Sequence, residues 1–133
     1  MKKKIYLIGS GGHASSCIDV IEQSGEFMIE GIFSDDKVKK FLGYTILGST
    51  ETLLKTKKKL NLHIAFGSIK NFNVRKKLFN KLKKKNHNFP SIISPKAILA
   101  KRIKIGEGSI IFHSAVINSN TVIGDNCIIN TMA

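Results

Sequence analysis

The chain of 133 residues carries 22 lysines and arginines against 9 acidic residues, a formal net charge of +13, and 42% of it is hydrophobic. That is enough apolar material for one ordinary domain, or a compact domain with a small appendage. No run approaches the roughly 18 apolar residues of a membrane helix, and MKKK leads into GSGG with no cleavage site, so the chain reads as cytoplasmic and without a membrane span.

Residues 3–9, KKIYLIG, predict a buried first strand, and GSGGHA at 9–14 follows it directly. Gly9, Gly11 and Ala14 satisfy G-x-G-x-x-A between a strand and a helix, the placement a phosphate-binding turn needs. In HASSCIDVIEQSG the apolar Ala14, Cys17, Ile18 and Ile21 recur at helical spacing, and Gly25 is a natural stop. A second strand, FMIEGIFSDD, closes on Asp35 and Asp36, in a stretch that is also good turn chemistry. After YTIL comes STETLLKT, with Ser49 or Thr50 as a helix cap, and then the apolar strand LHIAFG. Residues 68–86 read as a helix with Phe72, Val74, Leu78, Phe79 and Leu82 on its stripe, broken by Asn86 and Asn88. Strands alternating with helices predict an α/β fold with a parallel, doubly wound sheet.

The positive charge is nearly all lysine, densest in KTKKK at 55–59 and KLKKK at 81–85, near predicted helix ends. Cations suit a helix C-terminus and face water there. Aromatics are not interleaved, and Arg75 and Arg102 are the only arginines. The pattern is that of a solvated face, and no nucleic-acid partner is expected. Cys17 and Cys127 show no metal-ligand spacing, so neither a disulfide framework nor a metal site is indicated. His63 and His87 read as ordinary strand-edge and loop residues.

After Pro90 the period changes. Written in sixes from Ile93, the chain runs ISPKAI, LAKRIK, IGEGSI, IFHSAV, INSNTV, IGDNCI and INTMA. The first position holds Ile93, Leu99, Ile105, Ile111, Ile117, Ile123 and Ile129, and the fifth is mostly small. This is the hexapeptide signature of a parallel β-helix, in which each hexad makes one side of a prism with its first residue inside.

The two halves together resemble the bacterial nucleotide-sugar acetyltransferases of the NeuD/PglD family, of the sialic-acid, legionaminic-acid and bacillosamine type. The matching stretches are GSGGHA at 9–14, FSDD at 33–36, GYTILGS at 43–49, AFGSIKNFNVRKKL at 65–78, SPKA at 94–97 and the hexads ending IINT at 128–131. The resemblance implies a Rossmann-like nucleotide-sugar-binding domain over 1–91 and the start of a left-handed β-helix over 92–133. It further implies acetyl transfer from acetyl-CoA, without a metal, to the amino group, less often a hydroxyl, of a UDP-linked sugar, in a homotrimer.

Carried over, Gly9, Ser10, Gly11, Gly12 and His13 would surround the sugar nucleotide, Asp35 and Asp36 would face the nucleoside, and Gly67, Ser68 and Arg75 would close over the ligand. Each has a plainer alternative: His13 as a helix cap, the aspartates as turn formers, Arg75 as a surface cation. An NAD-type site would use the same loop, but a β-helix follows it here instead of a hydride-transfer domain. The family's general base resembles a histidine with an acidic partner shortly after the NT pair, which would fall beyond Ala133. Asn130 matches a supporting asparagine, or simply caps a hexad turn. His113, third in its hexad, reads as an outward-facing residue with a solvent or trimer-packing role. The chain therefore reads as the substrate-binding portion of an acetyltransferase, with a non-catalytic nucleotide-sugar-binding module or partner subunit as the alternative.

Overall fold

The computed structural model of the chain describes residues 1–67 and 72–133; Ser68 and the predicted start of the third helix lie outside the described residues, as does the side chain of Phe72. Strands β1 (Lys3–Ile8), β2 (Phe27–Phe33), β3 (Lys40–Phe41), β4 (Tyr44–Gly48) and β5 (Leu62–Ile64) form one sheet in the order β3-β4-β2-β1-β5. All its pairings are parallel except β3–β4, a small antiparallel hairpin that the alternating pattern did not announce.

Helix α1 (Gly12–Ser24) covers one face of the sheet. Its Ala14, Cys17, Ile18 and Ile21 are buried against Ile5, Leu7 and Ile29, and Gly25 ends it with φ +69, as the sequence predicts. Helices α2 (Thr50–Leu54) and α3 (Phe72–Lys84) cover the other. There Leu53, Leu78, Phe79 and Leu82 pack with Ile8, Leu62 and Ile64. Ser49 is the N-cap of α2, its Oγ accepting from Thr52 N at 3.2 Å. The α3 stripe differs from expectation at one point: Val74 is 52% exposed, whereas Arg75 is 3% exposed. Positions 75, 78, 79 and 82 follow the i, i+3, i+4, i+7 rule, so the arginine occupies the inward face.

The hexads form β6 (Ile92–Ile93), β7 (Ile98–Leu99), β8 (Lys104–Ile105), β9 (Ile110–Ile111), β10 (Val116–Ile117), β11 (Val122–Ile123) and β12 (Ile128–Ile129). They stack in parallel as β6-β9-β12, β7-β10 and β8-β11, so each residue lies on the one eighteen positions earlier. The prism is filled by Ile93, Leu99, Ile105, Ile111, Ile117, Ile123 and Ile129, joined by Ala97, Ala115 and Cys127. Left-handed backbone recurs at Gly108, Ser114, Asn120, Asn126 and Met132, the fourth position of successive hexads, where each corner is turned. Glycine is required at position 106, where a Cβ would sit 2.5 Å from the backbone of Gly124 one coil away.

One side of the prism docks on the α/β domain. Ile92, Ile110 and Phe112 enter the same core as α1, so the hydrophobic interior continues across residue 92. The other two sides leave Ile98 65%, Val116 50% and Val122 72% exposed.

Candidate functional site

Parallel strands of a doubly wound sheet point their C-terminal ends at a common edge, and ligands bind where neighbouring connections diverge. Here β1 leads to α1 on one face while its neighbour β5 leads to α3 on the other, so that edge lies between Gly9 and Gly67. Gly9 has φ +117, and a Cβ there would lie 3.1 Å from the Ala65 carbonyl oxygen, so only glycine lets the loop leave β1 beside β5. Its N–H donates to Phe33 O at 2.8 Å, tying the loop to the end of β2.

Gly11 is the N-cap of α1 and supplies no side-chain cap, and no acidic residue stands in the first turn. Positions 11 and 12 face open space, with none of the described residues within 4 Å of where a Cβ would stand. The first-turn amides and the positive end of the helix dipole are thus exposed to an anion.

Ser10 joins this loop to the end of β2. Its hydroxyl donates to Asp36 Oδ2 at 2.7 Å and lies 2.6 Å from Ser34 Oγ, and Ser34 Oγ accepts from Asp36 N at 3.1 Å. The ring of hydrogen bonds orients Asp36 and leaves its carboxylate exposed. Asp35 points the other way, its Oδ1 accepting from Thr50 N at 2.9 Å at the start of α2. Both aspartates therefore form the turn that follows β2. Beside Asp35 lies a crevice of 320 Å³ walled by Leu54, Phe66, Val74 and Leu78, with Lys77 and Lys81 at its border.

Arg75 is neither a surface cation nor a residue reaching into this crevice. Its Nη1 donates to Ile64 O at 2.6 Å and Phe66 O at 2.8 Å, and its Nε to Asn126 O of the coil at 3.4 Å. Burial lowers its pKa to about 10. His13 does not cap α1; its ring meets Phe112 edge-on at 5.6 Å and borders Gly67. Burial, then the charge of Arg75, holds its pKa below the usual value. His63, expected as an ordinary strand residue, is fully buried, and the same causes in the same order push its pKa down to about 3. Cys17 Sγ lies 3.7 Å from His63 Nε2, and burial drives the thiol up to about 12. His87 is structural, its Nδ1 accepting from Leu60 N at 3.1 Å.

His113 does lie on the outside of the coil, but it is engaged at both nitrogens. Nδ1 meets Ser94 Oγ at 2.5 Å and Nε2 meets Asp19 Oδ2 of α1 at 2.8 Å. Asn130 is exposed at a turn, its carbonyl accepting from Ala133 N. Among the described residues, no helix is long and apolar enough to cross a membrane.

The family model described as the PglD N-terminal domain matches residues 4–82, a span that contains the glycine loop, both aspartates and Arg75. The chain belongs to the PglD family. A relative, the UDP-N-acetylbacillosamine N-acetyltransferase of Bacillus subtilis (strain 168), is 31% identical over 113 residues, 82% of this chain and 51% of that protein. PerB from Caulobacter crescentus, solved with CoA and GDP-perosamine, superposes with a TM-score of 0.85 at 29% identity, over 97% of this chain and 60% of PerB. The acetyltransferase domain of PglB from Neisseria gonorrhoeae FA1090, solved with acetyl coenzyme A, matches with a TM-score of 0.85 over 99% of this chain and 63% of its own. At 24% identity it speaks for the fold alone. The PglD-family chain spans about half the length of the curated relative and under two thirds of either solved structure.

Proposed function

We propose that this chain binds a nucleotide-linked amino sugar at the C-terminal edge of its sheet, as the substrate-binding part of an acetyl-CoA-dependent sugar N-acetyltransferase. The observation that carries the reading is the uncapped glycine loop at Gly9–Gly12 beside the Ser10–Asp36 hydrogen bond. Exposed amides at a helix N-terminus suit a pyrophosphate, and a fixed carboxylate suits ribose hydroxyls or a base edge. The crevice beside Asp35, apolar at Leu54, Phe66 and Leu78, has the volume and lining of a small-ligand site and suits the nucleoside. Gly67 lies beside His13 of the same loop, whereas Arg75 holds the neighbouring Phe66 carbonyl from the α3 side.

Transfer needs a base to take a proton from the sugar amine as it attacks the thioester carbonyl. His113 does not fit that role, because both of its ring nitrogens are occupied by Ser94 and Asp19. The base is assigned to no residue of this chain, whose own task is to hold and orient the sugar nucleotide. Acetyl-CoA is the acyl donor of the whole protein and a UDP-linked amino sugar its acceptor. A homotrimer would cover Ile98, Val116 and Val122 on the free sides of the coil.

Calorimetric titration of the chain with UDP- and GDP-linked amino sugars tests the reading. Binding is expected, weakened about tenfold or more by Asp36→Asn or Ser10→Ala, in keeping with loss of a hydrogen bond to a charged group. Absence of binding to any nucleotide sugar, or affinity indifferent to both substitutions, would overturn it.

A further inference from the structure

Behind the glycine loop lies a cluster that the crevice does not use, made of half-buried His13 and buried Cys17 from α1, buried His63 from β5 and buried Arg75 from α3. Arg75 forms no ion pair among the described residues, although it is 3% exposed, and its Nη2 has no hydrogen-bond partner. A buried guanidinium without a counter-anion is expensive, so its neighbours must supply what a carboxylate would. Nη1 finds the carbonyls of Ile64 and Phe66, while two further buried nitrogens, His13 Nε2 and His63 Nδ1, have no partner among the described residues.

These atoms belong to one neighbourhood. Phe66, whose carbonyl takes Arg75, precedes Gly67, and a Cβ there would stand 4.0 Å from the His13 ring. Among the described residues, Arg75 acts on both His13 and His63, His13 acts on His63, and Cys17 of α1 and Cys127 of the coil act on the guanidinium; the coil also brings the uncharged Phe112 and Asn126 against the cluster. His13 also stands in the first turn of α1, whose dipole opposes a positive ring.

We propose that Arg75 is a positioning residue for the glycine loop, holding His13 as a neutral imidazole with the Nε2 lone pair turned inward and the Nδ1–H available as a hydrogen-bond donor. The guanidinium field favours a lone pair over an N–H at the buried nitrogen, and a second cation beside it is disfavoured. Burial also lowers the proton affinity of the ring, so geometry and environment act in the same direction. The consequence rests on the nucleotide-sugar reading: His13 would offer one directed donor to a ligand oxygen, and that contact would not strengthen as the pH falls from 8 to 6. The tautomer itself does not depend on that reading.

Long-range proton–nitrogen NMR of the nitrogen-labelled chain, recorded from pH 8 to pH 5, reports the protonation of each imidazole nitrogen. The expected result is His13 protonated at Nδ1 and bare at Nε2, with no half-protonation near pH 6.5, where a free imidazole titrates. An Nε2–H tautomer, or ordinary titration of His13, overturns the proposal. In Arg75→Gln, His13 is expected to titrate closer to 6.5 while fully buried His63 stays neutral; an unchanged His13 in a folded variant also overturns it. If that variant fails to fold, the spectra of the unaltered chain decide. Failure to bind a UDP-linked amino sugar in the same sample would count against the ligand reading and leave the ring assignment standing.

Discussion

The coil and the sheet domain bury apolar surface under different rules. In the coil, a residue's environment follows from its place in a six-residue period: Ile93 through Ile129 fill the prism at every first position, and left-handed corners recur at the fourth position from Gly108 to Met132. In the sheet domain, neighbours come from distant parts of the chain, and a polar group such as Arg75 can occupy an inward helical position because strand-end carbonyls receive it. Periodicity thus builds a scaffold, and departures from it build the site.

The sharpest way to break that contrast is within the coil. Ile110 and Ile98 share the sixth hexad position, yet Ile110 is fully buried against the α/β domain and Ile98 is 65% exposed. Ile110→Ala is expected to cost about 2–5 kcal/mol in urea denaturation. Ile98→Ala should stay within about 0.5 kcal/mol. Equal costs would mean that docking on the domain does not distinguish the sides of the prism.

Acid should act on the sheet domain first. Folded His63 resists protonation down to about pH 3, while in the unfolded chain it takes a proton near 6.5. Above pH 6.5 both states are neutral and the group contributes nothing to pH dependence. Below it the unfolded state binds the extra proton, so stability falls with falling pH, by up to about 1.4 kcal/mol per unit from this residue. His13 and His87, also lowered by burial, steepen the loss. Denaturation midpoints of His63→Leu between pH 7 and 4 are expected to slope less than those of the unaltered chain.

Glycines sharpen the comparison further. Gly106→Ala forces a Cβ against Gly124 and should cost about 1–3 kcal/mol. Gly12→Ala enters open space at the start of α1, so thermal unfolding is expected to stay level or rise slightly, while nucleotide-sugar affinity falls. The smallest effect is expected where the halves meet at the surface. Breaking the Asp19–His113 contact from its exposed side with Asp19→Ala should cost less than about 1 kcal/mol in urea denaturation.

The coil was the most legible part of the sequence, because a period of six maps directly onto inside, outside and corner. The glycine loop and the limits of α1 were legible too, since Gly9, Gly11 and Gly25 act through local backbone geometry. The place of Arg75 was not. Lysines surround it, which suggests a solvated face, although its spacing from Leu78, Phe79 and Leu82 already marked the buried stripe. The bond between His113 and Asp19 joins residues 94 positions apart, and no local pattern encodes it. The outward direction of Val74 follows from the same helical phase that turns Arg75 inward.

Amide chemical-shift mapping of the labelled chain with a UDP-linked amino sugar tests the central claim most directly. The account predicts saturable shifts concentrated at Gly9–His13 and Ser34–Asp36, with the corners at Ser114 and Asn120 unmoved. Shifts confined to the coil, or none at the glycine loop at saturating ligand, would contradict it.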